Sequence, residues 1–130
     1  MRYLTVDEVI DIHEVTIEEH GGDAGILDWN LVDSAVQQAA QTFGGEPLYK
    51  TVGEVAAAYW HSITCNHGFL DGNKRTGAIA AAFFCSLNGH VLDMDDDKII
   101  EVGLLMAAGG TKREDVFAKV CDCVKKANQP

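Results

Sequence analysis

One junction constrains this chain more than any other. His67-Gly-Phe-Leu-Asp-Gly-Asn-Lys-Arg-Thr-Gly77 is polar and glycine-bearing, and it runs directly into the apolar Ala78-Ile-Ala-Ala-Ala-Phe-Phe-Cys85 and on to Asn88-Gly89. The pattern predicts a tight loop feeding a helix from about Asn73 to Asn88, with Gly89 as its stop. Its alanines and Phe83-Phe84 leave no polar face, so neighbours should surround it. The start of such a helix points unpaired N–H groups and a partial positive charge at one spot, a natural anion site. An imidazole (His67), a carboxylate (Asp71), an amide (Asn73) and two cations (Lys74, Arg75) stand around it. That set suits phosphoryl or nucleotidyl transfer, with a base, a metal ligand and phosphate clamps.

The rest of the chain reads as helices. Thr5-Val-Asp-Glu8 is a capping box. Val6, Val9, Ile10, His13 and Ile17 follow at helical spacing, and Gly21-Gly22 ends that helix. Asp28 is the N-cap of a second helix through about Thr42, with Leu31, Val32, Ala35, Val36 and Ala39 facing inward. Phe43-Gly-Gly-Glu-Pro-Leu-Tyr49 breaks the pattern and predicts a loop or short hairpin. Thr51-Val-Gly-Glu54 opens a third helix carrying Val55, Ala58, Tyr59, Ser62 and Ile63 toward His67. The acidic Leu92–Asp97 turn caps a helix from about Asp96 to Ala108, stopped by Gly109-Gly110. Thr111-Lys-Arg-Glu114 is a further capping box, opening a last helix through about Lys126 whose lysines suit its C-terminal dipole. No alternating strand pattern rises above the helical one.

At 130 residues the chain is one domain, 1–130, with 47 % apolar residues to fill one core. A net charge of −10 argues against a nucleic-acid or anionic-membrane surface while permitting a basic pocket. No signal-peptide pattern is present, and the apolar run Ala78–Cys85 is far too short to cross a bilayer. Cys65, Cys85, Cys121 and Cys123 form no CxxC pair and read as reduced thiols in a cytoplasm.

Within the junction, His67 is the candidate general base, because an imidazole titrates near neutral pH and can take a hydroxyl proton. Asp71 is a candidate Mg²⁺ ligand, the competing reading being an N-cap or an ion pair with Lys74 or Arg75. Gly72 lets a backbone approach a ligand closely. Asn73 either holds phosphate or orients the loop. Lys74 and Arg75 neutralise phosphate, one as a point charge and one as a planar fork. Phe69 reads as a core anchor for the loop. His13, His20 and His90 read as helix-face or terminal residues, and Trp29, Tyr59 and Trp60 as core or interface.

His67-x-Phe69-x-Asp71-Gly72-Asn73-Lys74-Arg75 resembles the signature of the Fic/Doc superfamily in its Doc (death-on-curing toxin) form. Leu4-Thr5 through Asp28 resembles the start of Doc-type chains, and Asn88-Gly89-His90 the end of their central helix, so about residues 1–92 take part. The resemblance implies an all-α Fic/Doc fold: about six helices around a buried central helix, with a short flap hairpin at Phe43–Tyr49 that can hold a target segment by main-chain hydrogen bonds. It implies ATP as substrate, Mg²⁺ on Asp71, and phosphate binding by Gly72, Asn73, Lys74 and Arg75. Nucleotidyl-transferring Fic enzymes carry a glycine where Lys74 stands and a second arginine where Ala78 stands. Those departures imply an inverted ATP and transfer of the γ-phosphate to a hydroxyl of a translation factor, elongation factor Tu in Doc toxins, which arrests translation. A cognate antitoxin laying a helix into a groove beside the site is implied as partner, with no nucleic acid and no membrane. The alternatives are an AMP transferase of Fic type and a non-catalytic Fic-fold interaction module.

Overall fold

The computed structural model describes residues 1–127. Among these residues six helices, α1 (Val6–His20), α2 (Trp29–Ala39), α3 (Val52–Asn66), α4 (Asn73–Leu87), α5 (Asp96–Ala108) and α6 (Arg113–Asp122), carry the fold. Four short strands accompany them: β1 (Thr42–Phe43), β2 (Glu46–Pro47), β3 (His90–Leu92) and β4 (Val124–Lys126). The architecture is the all-α one expected. Among the described residues no helix is long and apolar enough to cross a membrane, and all four cysteines are free thiols.

The helix starts follow the capping chemistry. Thr5 accepts from the Glu8 N–H while the Glu8 carboxylate accepts from the Thr5 N–H, closing the box that starts α1. Asp28 accepts from the Asn30 N–H at the head of α2. Asp95 accepts from the Lys98 N–H at the head of α5. At α3 only half a box forms: Thr51 Oγ1 accepts from the Glu54 N–H, and the Glu54 carboxylate turns to the Thr51 hydroxyl.

The most deeply buried helix is α3, not α4. The run Val55–Trp60 is sealed on every side, with Tyr59 and Trp60 0 % exposed. Helices α2, α4 and α6 pack around it. Ser62 donates to the Ala35 carbonyl at 2.6 Å, tying α3 to α2. Gly77 lets α4 press onto α3, since a methyl group there would come within 2.8 Å of the Trp60 carbonyl oxygen. Helix α4 buries Thr76, Gly77, Ala78, Ala80, Ala81, Phe84 and Cys85, but Ile79 and Phe83 stay over a third exposed. Its composition hid this open face because alanine and phenylalanine suit both sides of a boundary.

The expected hairpin forms. β1 and β2 pair antiparallel through Gly44 and Gly45, both at positive φ, the geometry a two-residue turn demands. Helix α2 accordingly ends at Ala39, short of the expected Thr42, which belongs to β1.

The chain's last third departs from expectation. Helix α6 starts at Arg113 with Lys112 as N-cap and no side-chain cap bond, so the Thr111 box does not form. Arg113 instead lies over the Phe117 ring and donates to the Tyr49 hydroxyl. The helix stops at Asp122, and Val124–Lys126 pairs antiparallel with His90–Leu92. Lys125 answers Asp93 across that pair at 3.0 Å rather than a helix dipole. Three-residue strands carry too little periodicity to be read locally, and their partners lie far away in sequence.

Candidate active site

His67 ends α3 in the left-handed region (φ 52, ψ 44), the one non-glycine residue at positive φ among the described residues. That conformation turns the chain sharply out of α3 and leaves the imidazole exposed. The next residues lie against the segment before α2. Gly68 O accepts from the N–H groups of Leu27 and Asp28 at 2.9 and 3.1 Å, and Leu70 N–H donates to Gly25 O at 3.0 Å. Gly68 is obligatory here, since a methyl group would meet Val32 Cγ2 at 2.6 Å and Val32 N at 2.9 Å. Asn66 Nδ2 donates to Leu31 O, adding a side-chain tie at the end of α3.

Phe69 is 3 % exposed and anchors the loop in the core. The Asn73 amide brackets it, Oδ1 accepting from Phe69 N–H at 3.1 Å and Nδ2 donating to Phe69 O at 3.0 Å. Of the two roles open to Asn73, the geometry favours orienting the loop.

Asp71 is exposed, and one carboxylate oxygen, Oδ2, accepts from the Asp23 N–H at 2.8 Å. It is neither an N-cap nor an ion-pair partner among the described residues. Gly72 is the N-cap of α4, at φ 80, with no side-chain cap bond. The first intrahelical bond is Thr76 N–H to Gly72 O, so the N–H groups of Asn73, Lys74 and Arg75 are left without helical acceptors. Lys74 and Arg75 are exposed, and among the described residues neither joins an ion pair. Helix start and cations therefore present a positive corner, with no ion pair to either cation among the described residues, on a chain of net charge −10.

A groove of about 510 Å³ opens from this corner. Lys74, Arg75, His20 and the acidic Asp96 stand at its walls, with Ala78, Ile79 and Ala82 from α4 facing Ile99, Ile100 and Leu104 from α5. It is the open face of α4 that composition concealed.

All six residues singled out in the motif thus fall within one loop and one helix start. Two contributors escaped notice. The Asp23 N–H holds the Asp71 carboxylate, and His13, 1 % exposed, packs on the loop from α1. The sequence signal for His13 was its place in an apolar register with Val9 and Ile17. Asp23 carried none, because its contact is made by backbone 48 residues away.

Fold and site together define a mainly helical protein whose polar loop delivers a histidine and a carboxylate to one exposed helix start. Residues 3–85 match the Fic/DOC family, and the chain belongs to that family. It is 35 % identical over 95 residues to the protein named Toxin Doc of Mycolicibacterium smegmatis, covering 73 % of this chain and 71 % of that one. It is 29 % identical over 104 residues to Protein kinase doc of Escherichia phage P1, covering 79 % of this chain and 82 % of that one.

Proposed function

We propose that this chain is a Doc-type toxin that transfers the γ-phosphate of ATP to a serine or threonine of a translation factor, elongation factor Tu being the expected target. The observation that carries the reading is the start of α4 without a side-chain cap, with Lys74 and Arg75 exposed upon it and His67 exposed at the loop's other end. The names of the two relatives, a toxin and a protein kinase, support the same reading.

The imidazole of His67 accepts the proton of the target hydroxyl. The hydroxyl oxygen then forms a bond to the γ-phosphorus while the bond from that phosphorus to its bridging oxygen breaks, and ADP leaves. The free N–H groups of α4, the Lys74 ammonium and the Arg75 guanidinium hold the phosphate oxygens through the charge shift. Asn73 works at one remove, keeping Phe69 and the turn in place. Asp71 fits a Mg²⁺ ion: it is exposed, has an oxygen with no hydrogen-bond partner among the described residues, and is already fixed through its other oxygen. Bound there, the cation would supply neutralising charge to the phosphate oxygens.

The exposed hairpin β1–β2 offers edge main-chain groups for a target strand, with Phe43 84 % exposed at its tip. The apolar groove between α4 and α5 suits the amphipathic helix of an antitoxin, which would cover the phosphate corner at Lys74 and Arg75.

Parallel reactions with ATP labelled at the γ- or α-phosphate, on purified elongation factor Tu and on whole bacterial lysate, test this reading. Label from γ alone, lost in His67→Ala, is expected. Label from α would make the chain an AMP transferase. No label from either, with folded protein, would overturn catalysis by this site.

A further inference from the structure

His13 lies outside the motif, yet it touches the motif at two positions and borders a third. Its ring lies flat on Phe69, centroids 3.8 Å apart and planes 8° from parallel. Its Nε2 is 2.8 Å from the carbonyl oxygen of Asp71. A carbonyl oxygen only accepts, so Nε2 carries the hydrogen and donates it. The same ring edge borders Gly72, where a methyl group would stand 3.8 Å from Nε2 and Cδ2.

The loop has other fastenings, but they fall elsewhere. Gly68 and Leu70 are held by the segment before α2, and Phe69 by the Asn73 amide. The Asp71 side chain is held by Asp23. Among the described contacts, the hydrogen bond from His13 is the one that fixes the Asp71 carbonyl. That carbonyl belongs to the peptide joining Asp71 to Gly72, so its orientation sets both where the carboxylate projects and how Gly72 turns into α4. A phenylalanine would fill the space and stack as well; only a donor at the ring's far edge holds the peptide.

We infer that His13 is a positioning residue for the phosphate-binding loop, holding the Asp71–Gly72 peptide so that the carboxylate and the N–H groups of α4 converge on one ligand. The inference rests on the reading of this loop as a phosphoryl-transfer site. His13 touches no reacting atom and acts through Asp71 and Gly72.

Two variants separate positioning from packing. His13→Phe keeps the stack and loses the donor. His13→Gln loses the stack and keeps an amide N–H at similar reach. Each is measured for melting temperature, for kcat and Mg²⁺ dependence of γ-label transfer to lysate protein, and for amide hydrogen exchange across residues 69–75. Expected for His13→Phe is a fold that melts near the parent, a kcat lowered about tenfold or more, a higher Mg²⁺ requirement, and faster exchange in the loop. His13→Gln should recover most of the rate and the slow exchange. Parent-like kcat, Mg²⁺ dependence and exchange in His13→Phe would overturn the inference. If the parent transfers no label at all, phosphoryl transfer fails separately, and exchange still decides: a loop unaltered in His13→Phe overturns positioning on its own.

Discussion

The side-chain amide of Asn73 grips the backbone of Phe69 at both ends, accepting from its N–H at 3.1 Å and donating to its carbonyl at 3.0 Å. This clasp lets a five-residue span turn back on itself while Phe69 stays in the core. Asn73→Ala removes both bonds and Asn73→Asp keeps only the acceptor. With the loop free to drift, the expected loss in kcat is about 10- to 100-fold, equivalent to roughly 1–3 kcal/mol. Nucleotide binding should weaken far less, because the cations remain. Steady-state rates beside equilibrium titration of ATP check this; a variant that lost binding and kept kcat would show that Asn73 contacts the nucleotide instead.

His67 occupies a backbone conformation that costs an L-residue with a Cβ something on the order of 1 kcal/mol, and glycine almost nothing. The position ends α3, where glycine is the usual residue. His67→Gly should therefore be more stable than His67→Ala by about 1 kcal/mol, a few degrees in melting temperature. Both should be inactive. A thermal melt of the pair is sufficient, and an alanine variant as stable as the glycine one would remove the claim that the histidine is held there against local preference.

How far the chain could be read from its residues follows from the range of each interaction. Caps and stops act within four residues, so the starts at Thr5, Asp28, Thr51 and Asp95 were legible. The motif was legible because it packs its chemistry into consecutive positions. What was hidden is what distant segments decide. β3 and β4 exist because His90–Leu92 meets Val124–Lys126. His13 looked like an ordinary helix-face residue until Asp71 arrived 58 positions later. Helix α4 looked central because its residues are apolar, yet α3 took the centre and left α4 the rim of a groove.

Burial of Tyr59 should make the fold sensitive to alkali. Its ring is 0 % exposed, and burial pushes the phenol up to about 12, from an ordinary value of 10. Cys85 is shifted the same way by burial, to about 11. In both cases the folded state favours the protonated form. The associated stability is therefore fully present below pH 9 to 10 and is lost as pH rises through about 11 to 12. Urea midpoints taken from pH 8 to pH 11.5 should fall at the upper end, and the fall should shrink in Tyr59→Phe. That variant starts lower at pH 8, because Leu4 N–H loses its acceptor at 2.8 Å. An identical alkaline slope in Tyr59→Phe would locate the sensitivity elsewhere.

Lys74 and Arg75 stand at the wrong end of α4 for its own good. The second and third residues of a helix sit in the positive end of its dipole, where a cation is unfavourable by about 0.3–1 kcal/mol. Among the described residues no carboxylate pairs with either to offset this, and the N-cap is a glycine with no side chain to accept a hydrogen bond. The chain thus concentrates positive charge where folding would disperse it, which the proposed phosphate site would require. Lys74→Ala and Arg75→Ala should each melt slightly higher than the parent in the absence of nucleotide. Each should also gain less from added ATP, with KM for ATP raised about tenfold and more for Arg75, whose planar fork engages two oxygens at once. Melting curves with and without Mg²⁺-ATP test both halves together. A variant that melts lower without nucleotide would mean the cation serves the fold, and one that keeps the full ATP-induced rise would take that residue out of the phosphate site.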